Sequence, residues 1–176
     1  MILGAVLAGG QSARFGSDKA LAELRGATLL ERTATCLASQ CDAMVVVGRE
    51  EAPAQTLPDW PRAGMGPLGG IAAALRHAAA KDFASVLTCG VDSAALPEDL
   101  LDQLGEPPAY VASQPVIGHW PVSAAAEVEE ILRGDGRHSM LAFAEAIGAR
   151  EVHLTTKPDN INTPADLAAA EARHDL

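Results

Sequence analysis

The chain has 176 residues, 48% of them apolar, which suits a folded unit with a sizeable core and excludes global disorder. A formal net charge of −10 repels nucleic acid and anionic membrane, so neither is an expected partner, and a triphosphate site would need locally built positive potential. Aromatic residues are only 3%, so the core must come from Ala, Leu, Val and Ile.

Three cysteines, Cys36, Cys41 and Cys89, an odd number without metal-type spacing, argue against a disulfide framework and a zinc site. The N-terminus has no basic region and its apolar run is too short for a signal peptide or a membrane span. A cytoplasmic location is the simple expectation.

Residues 2–7 form a short apolar run with β-branched members, the length of a buried strand. Gly9 and Gly10 bound it, and Gln11, Ser12, Arg14, Gly16, Asp18 and Lys19 follow. Glycines just past a strand let the backbone approach a ligand closely, and successive exposed N–H groups there form an anion-binding concavity. Arg14 and Lys19 add full positive charge. Strand, glycine turn and two cations together predict a phosphate cradle. It is not a P-loop, which needs Gly, four residues, then Gly-Lys-Ser/Thr. Here five residues separate Gly10 from Gly16, and Ala20 follows Lys19. The G-x-G-x-x-G dinucleotide fingerprint fails on spacing too.

Residues 20–24 are short and alternating, and Gly26 turns them. Residues 28–39 carry Leu29, Leu30, Ala34 and Leu37 at helical spacing. Residues 43–47 (AMVVV) read as a second strand, and 49–65, rich in Pro and charge, as a long loop of the kind that is often functional. Pro67 suits the first turn of a helix with Ile71, Ala74, Leu75 and Ala78 on one face. Residues 85–91 (SVLTCGV) predict a third buried strand, ending at Asp92.

A short helix is expected over 97–104, then strands over 110–113 and 116–123 separated by Gln114 and Pro115. Helices follow over 126–132 and 140–147, around a turn at 134–136, and a last strand over 151–154. Thr163 as N-cap, Pro164 at N1 and the acidic Asp166 begin the terminal helix. With no repeat and no linker, this alternation predicts a single domain over 1–176. Its class is α/β: a three-layer α/β/α Rossmann-like arrangement with a mainly parallel sheet. Ligands of such sheets sit beyond the carboxyl ends of the strands, which brings the cradle and Asp92 to one edge.

The stretch LAGGQSARFGSDKAL, residues 7–21, resembles the nucleotidyltransferase signature L-A-G/A-G-x-S-x-R-M/F-G-x-D-K. Within that group it is most similar to the molybdenum cofactor guanylyltransferases, which attach GMP to molybdopterin. GPLGG at 66–70 is similar to the family's G-P-L-A/G-G, and NINTP at 160–164 to its N-x-N-T-P. With Asp59 and Asp92 these motifs occur in the family's order along nearly the whole chain.

The resemblance implies GTP bound by Leu7, Ala8, Gly9, Gly10, Lys19, Asp59, Gly66, Pro67 and Leu68. It implies catalytic roles for Arg14, Lys19 and Asp92, with Asp92 as the ligand of Mg²⁺, and an acceptor site for molybdopterin near Asn160 and Asn162. Transient contact with proteins that deliver or accept the cofactor is part of the same expectation. Gly9, where cytidylyltransferase relatives commonly carry Ala, favours guanine. In the family the metal-binding Asp is followed by a residue, a Pro and an aromatic; here Ala94 and Ala95 stand in their place.

Nucleotidyl transfer asks for a held triphosphate, neutralised charge as pyrophosphate leaves, and an acceptor in line, so positioning and electrostatics dominate. Mg²⁺ takes one or two carboxylates plus substrate phosphates, which a lone Asp92 after a buried strand suits. The residues alone leave other readings open. Asp92 also reads as a cap for the helix at 97, Asp59 as a solvated loop carboxylate, and Asn162 with Thr163 as caps of the last helix. His119 and Cys89 read as core, and Arg133, Arg137 and His138 as solvated or in reach of a pterin phosphate. For the chain as a whole the alternatives are cytidylyl or sugar-phosphate nucleotidyl transfer, or a non-catalytic nucleotide-binding or regulatory module.

Overall fold

The computed structural model describes residues 1–10, 18–136 and 138–174. The N-terminal apolar run forms β1 (Ile2–Leu7), inside a seven-stranded sheet. A 3-10 turn, Lys19–Leu21, leads to a hairpin of β2 (Glu23–Leu24) and β3 (Ala27–Thr28). Its two loop residues, Arg25 and Gly26, both take positive φ, 55° and 80°, as a type I′ turn requires. α1 (Leu29–Ala38) opens on a complete capping box. Thr28 Oγ1 accepts the Glu31 amide at 3.0 Å and the Glu31 carboxylate accepts the Thr28 amide at 2.8 Å. Such a cap is worth about 1 kcal/mol.

β4 (Ala43–Val47), β5 (Gln55–Leu57), α2 (Pro67–Ala80), β6 (Ser85–Gly90) and β7 (Ser93–Ala94) follow. Then come α3 (Leu100–Leu104), β8 (Ala109–Val111), β9 (Gln114–Pro121), α4 (Ala125–Arg133) and α5 (Met140–Ala146). β10 (Arg150–Val152), β11 (Asp159–Asn160) and α6 (Pro164–His174) close the order. The main sheet runs β10-β8-β9-β6-β1-β4-β5. β9 is antiparallel to β6 and β8, and every other pairing in that sheet is parallel.

Alternation along the strands divides the core. Leu3, Ala5, Val45, Val47, Val86 and Trp120 face α2, α4 and α5, while Val6, Val46, Leu87 and Cys89 face α1 and α3. The result is the expected three-layer α/β/α arrangement with a mainly parallel sheet. A third, smaller cluster joins Leu24 and Leu29 to Ile161 and Ala170, fastening α6 to the β2–β3 hairpin and the start of α1. α6 starts as its sequence predicts: Thr163 Oγ1 accepts the Asp166 amide at 3.1 Å, and the Asp166 carboxylate accepts the Asn162 and Thr163 amides, both at 2.9 Å. Among the described residues no helix is long and apolar enough to cross a membrane.

Four expectations need correction. The stretch expected as one irregular loop over 49–65 contains β5, whose Thr56 and Leu57 pair with Val46 and Val47 of β4. Gln114 and Pro115 do not separate two strands but begin β9; the turn falls at Ala112 and Ser113, and Pro115 is tolerated next to an irregularity in the ladder. The helix expected from Pro97 starts at Leu100, and Asp92 caps nothing there: the helix is preceded by Asp99, which makes no side-chain cap bond. The last strand of the main sheet is Arg150–Val152, set by pairing with β8 rather than by its own pattern.

Candidate functional site

The register of the sheet builds the site. β1 and β6 are parallel with Leu7 opposite Gly90, and β1 and β4 are parallel with Leu7 opposite Val47. Three chain exits therefore emerge side by side: Ala8–Gly10, Gly48–Arg49 and Val91–Asp92. Ala8, Gly9 and Gly10, Val47 at the end of β4, and Val91 and Asp92 line a cleft of about 330 Å³, to which Asp18, Lys19, Ala20, Asp59, Gly64, Gly66, Pro67 and Gly70 also contribute. This is the edge where α/β sheets bind their ligands.

Glycine shapes the walls. A Cβ on Gly48 would meet Gly9 Cα at 2.5 Å, so the exits of β1 and β4 touch backbone to backbone. A Cβ on Gly90 would lie 2.7 Å from Asp92 Oδ1, so the bare backbone there makes room for the Asp92 carboxylate at the cleft. Asp59 is neither fully solvated nor bonded into the core. Its Oδ2 lies 3.3 Å from where a Gly9 Cβ would be, and its Oδ1 3.5 Å from a Gly70 Cβ. Burial between these glycines pushes its carboxyl above the usual carboxylate range.

Positive potential comes from several sources. α2 has Gly66 as an N-cap without a side-chain bond and Pro67, which has no N–H, at N1; the Gly69 amide donates to the Gly66 carbonyl at 3.1 Å, and the positive end of the helix macrodipole faces the cleft rim. Lys19 Nζ donates to Asn162 Oδ1 at 3.4 Å. Arg49 holds Asp18 through two bonds, 3.0 and 2.7 Å. The Arg49 guanidinium pulls the Asp18 carboxyl below its ordinary range.

The structure thus gathers Leu7, Ala8, Gly9, Gly10, Lys19, Asp59, Gly66, Pro67 and Asp92 around one cleft. Leu68 is separated from them: its side chain is fully buried in the core, so any part it plays passes through its backbone amide in the first turn of α2. Asn160 is exposed and Asn162 half-buried beside Lys19, both flanking the cleft rather than lining it. Arg14 lies outside the described residues, as does Arg137.

The segment after Asp92 is braced without the Pro and aromatic of the family pattern. Ser93 pairs with Asn160 in the antiparallel β7–β11 ladder, and the Ile161 amide donates to the Asp92 carbonyl at 2.7 Å. The Ser93 hydroxyl donates to Gln114, whose own amide donates to the Pro158 carbonyl at 3.2 Å. Arg133 is already engaged: it sits 5.3 Å from the Trp60 ring centroid, as Arg76 does at 5.0 Å, and both bond to Glu129. His138 hydrogen-bonds to the Gly134 carbonyl at 3.2 Å. His119 and Cys89 are core residues, as their sequence settings predict.

Sequence reasoning missed Arg49, Gly48 and Gly90. A glycine followed by a cation at the end of a strand was the available signal for the first two. Only the fold shows that Gly90 makes room for Asp92.

A glycine turn and a cation after the first strand, with a carboxylate after the parallel neighbour, on a mainly parallel sheet, define the nucleotidyltransferase class. The family described as the MobA-like NTP transferase domain matches residues 4–152, and the chain belongs to that family. It is a nucleotidyltransferase. The molybdenum cofactor guanylyltransferase of Acidiphilium cryptum is 38% identical to it over 182 residues, covering 95% of this chain and 92% of that protein. The molybdenum cofactor guanylyltransferase of Rhodobacter capsulatus is 35% identical, with 98% of this chain and 96% of that protein covered. Among solved structures, molybdopterin-guanine dinucleotide biosynthesis protein A of Archaeoglobus fulgidus superposes with a TM-score of 0.79 at 25% identity, covering 99% of both chains.

Proposed function

We propose that the chain, acting as a single domain in the cytoplasm, transfers GMP from GTP to the terminal phosphate of molybdopterin and releases pyrophosphate, with Mg²⁺ as cofactor. The observation that carries the reading is the convergence of Gly9, Gly10, Lys19, the uncapped start of α2 and Asp92 on one cleft, in a chain 38% identical to a molybdenum cofactor guanylyltransferase.

In this reading the amides of Gly9 and Gly10, with Lys19 and Arg14, hold the triphosphate. The positive end of the α2 macrodipole adds charge at the rim. Asp59 accepts from the N1 and N2 positions of guanine, a bond strengthened by its partial desolvation. Asn160 and Asn162 lie on the acceptor side.

The donor set fits Mg²⁺. No group of three or more His, Cys, Asp or Glu that could hold a metal occurs among the described residues, and one carboxylate with space made for it by Gly90 suits an ion that draws its other ligands from phosphate and water. Asp92 would hold it. When bound, the ion neutralises charge on the phosphates as pyrophosphate departs. The protein's own contribution is to fix the nucleotide and the acceptor in line.

Nucleotide-dependent thermal stabilisation in the presence of Mg²⁺ tests this directly, because a ligand of the native state raises the melting point by mass action. GTP is expected to stabilise the protein and CTP, ATP and UTP to do so far less. Equal shifts, or a preference for another nucleotide, would replace the substrate; no shift with any of them would favour a non-catalytic module.

A further inference from the structure

Resting on the GTP reading, we propose that Arg49 is a positioning residue for the phosphate-holding Lys19 and that it acts through Asp18. Arg49 leaves the end of β4 one residue past Gly48, and its guanidinium grips Asp18 with Nη1 to Oδ1 at 3.0 Å and Nη2 to Oδ2 at 2.7 Å. Through Oδ1 the same carboxylate accepts the Ala20 amide at 3.2 Å, which caps the Lys19–Leu21 turn. Lys19 follows Asp18 directly and reaches Asn162 Oδ1 at 3.4 Å. Contacts therefore run from the end of β4, through Asp18, to the lysine and on to the segment before α6.

The placement of this pair needs a reason. Asp18 lines the cleft, where a carboxylate repels a triphosphate. The pair is not a strong source of stability either, since the Asp18 side chain is 44% exposed and exposed pairs contribute little. What a two-pronged arginine contact supplies is orientation. The Arg49 side chain is only 18% exposed, which holds the guanidinium in one place. Fixing the turn fixes the Cα of Lys19 relative to β1 and β4, the two strands whose exits form the phosphate side of the cleft.

The electrostatic and the positioning accounts predict opposite signs for one substitution. If Asp18 acts only as negative charge, Asp18→Asn tightens GTP binding. If it orients Lys19, the same change weakens binding, although it removes a charge that repels the ligand.

The experiment is a calorimetric titration of GTP with Mg²⁺ into the wild type, Asp18→Asn, Arg49→Gln and the double variant. A second arm uses the ligand-free protein. Its three lysines, Lys19, Lys81 and Lys157, are reductively methylated with ¹³C and read by NMR, and Lys19→Arg identifies the Lys19 signal. Each single variant is expected to weaken binding about tenfold, the scale of one charge-assisted hydrogen bond, and the double variant to be no worse than either. The Lys19 signal should move in both variants while Lys81 and Lys157 stay, which also reports an intact fold. Tighter or unchanged binding by Asp18→Asn, additive losses in the double variant, or a Lys19 signal that stays put would overturn the proposal. A wild type that binds no GTP would remove the GTP reading instead, and the lysine signals would still decide whether Arg49 and Asp18 position Lys19.

Discussion

Gly9 and Gly48 pack backbone against backbone: a Cβ on Gly48 would lie 2.5 Å from Gly9 Cα and 2.6 Å from its nitrogen. Gly48 also sits at φ 90°, where side chains are strained. Gly48→Ala combines that strain with a collision that no rotamer change relieves. A loss of about 2–4 kcal/mol is expected, read as a melting point several degrees lower together with weaker GTP binding. A variant that melts with the wild type would contradict the contact.

Gly9→Ala is expected to be milder for stability and sharper for selectivity. The added methyl meets Gly48 Cα at 3.2 Å and Asp59 Oδ2 at 3.3 Å, so the Asp59 carboxylate is the group that must yield. GTP affinity should fall more than affinity for CTP or UTP in parallel titrations. An equal loss for every nucleotide would take Asp59 out of base recognition.

Asp92→Asn is expected to leave folding intact and to lower turnover by about a hundredfold or more, the scale seen when an electrostatic stabiliser is removed from a charged transition state. Gly90→Ala should act in the same direction more weakly, because its methyl would stand 2.7 Å from the present Asp92 Oδ1. A raised Mg²⁺ requirement in Gly90→Ala would be its signature. Wild-type rates for Asp92→Asn at saturating Mg²⁺ would refute the role of the carboxylate.

His119 gives the fold a pH dependence of its own. Its Nδ1 faces the Gly105 carbonyl at 2.8 Å and must carry the proton, so Nε2 accepts from the Ser85 hydroxyl at 2.8 Å. Burial pushes its pKa below the ordinary histidine value. The unfolded chain then takes up a proton that the folded one refuses. The stability is fully present above about pH 6.5 and is lost as the pH falls from there through the folded pKa. Urea unfolding at about pH 7 and about pH 5 should show a smaller pH effect in His119→Gln than in the wild type. Identical slopes would show that other groups set the dependence.

Arg76 and Arg133 both approach the Trp60 ring, 5.0 and 5.3 Å from its centroid, and Glu129 bonds to both cations. Arg133→Ala should cost under about 1 kcal/mol, the scale of an exposed cation–π contact. A double-mutant cycle with Trp60→Leu should show the two losses to be non-additive. Simple addition would mean that the stack contributes nothing.

The parts of the fold readable from sequence are those whose causes are local. β1 and β4 are short apolar runs and β6 a mostly apolar one, α1 and α6 carry their caps in the sequence, and Pro67 marks the start of α2. β5 and the β7–β11 ladder have two or three residues each, too few for any periodicity, and exist because a partner strand lies beside them.

The site divides in the same way. The glycine turn, Lys19 and Asp92 stand out because each follows a strand end. Asp59 gains its meaning only when Gly9 and Gly70 close around it. Asp18 and Arg49, 31 residues apart, have no shared pattern at all and meet because β1 and β4 are parallel neighbours. Leu68 shows a further limit: a motif marks a position, but not whether its side chain or its amide is presented.

The most direct test of the central claim is to incubate the protein with molybdopterin, Mg²⁺ and each nucleoside triphosphate in turn, and to read the products by mass spectrometry. The expected products are a molybdopterin–guanine dinucleotide and one pyrophosphate per dinucleotide with GTP, little product with CTP, ATP or UTP, and none from Asp92→Ala. A cytidine dinucleotide in place of the guanine one, or full product from Asp92→Ala, would contradict the claim.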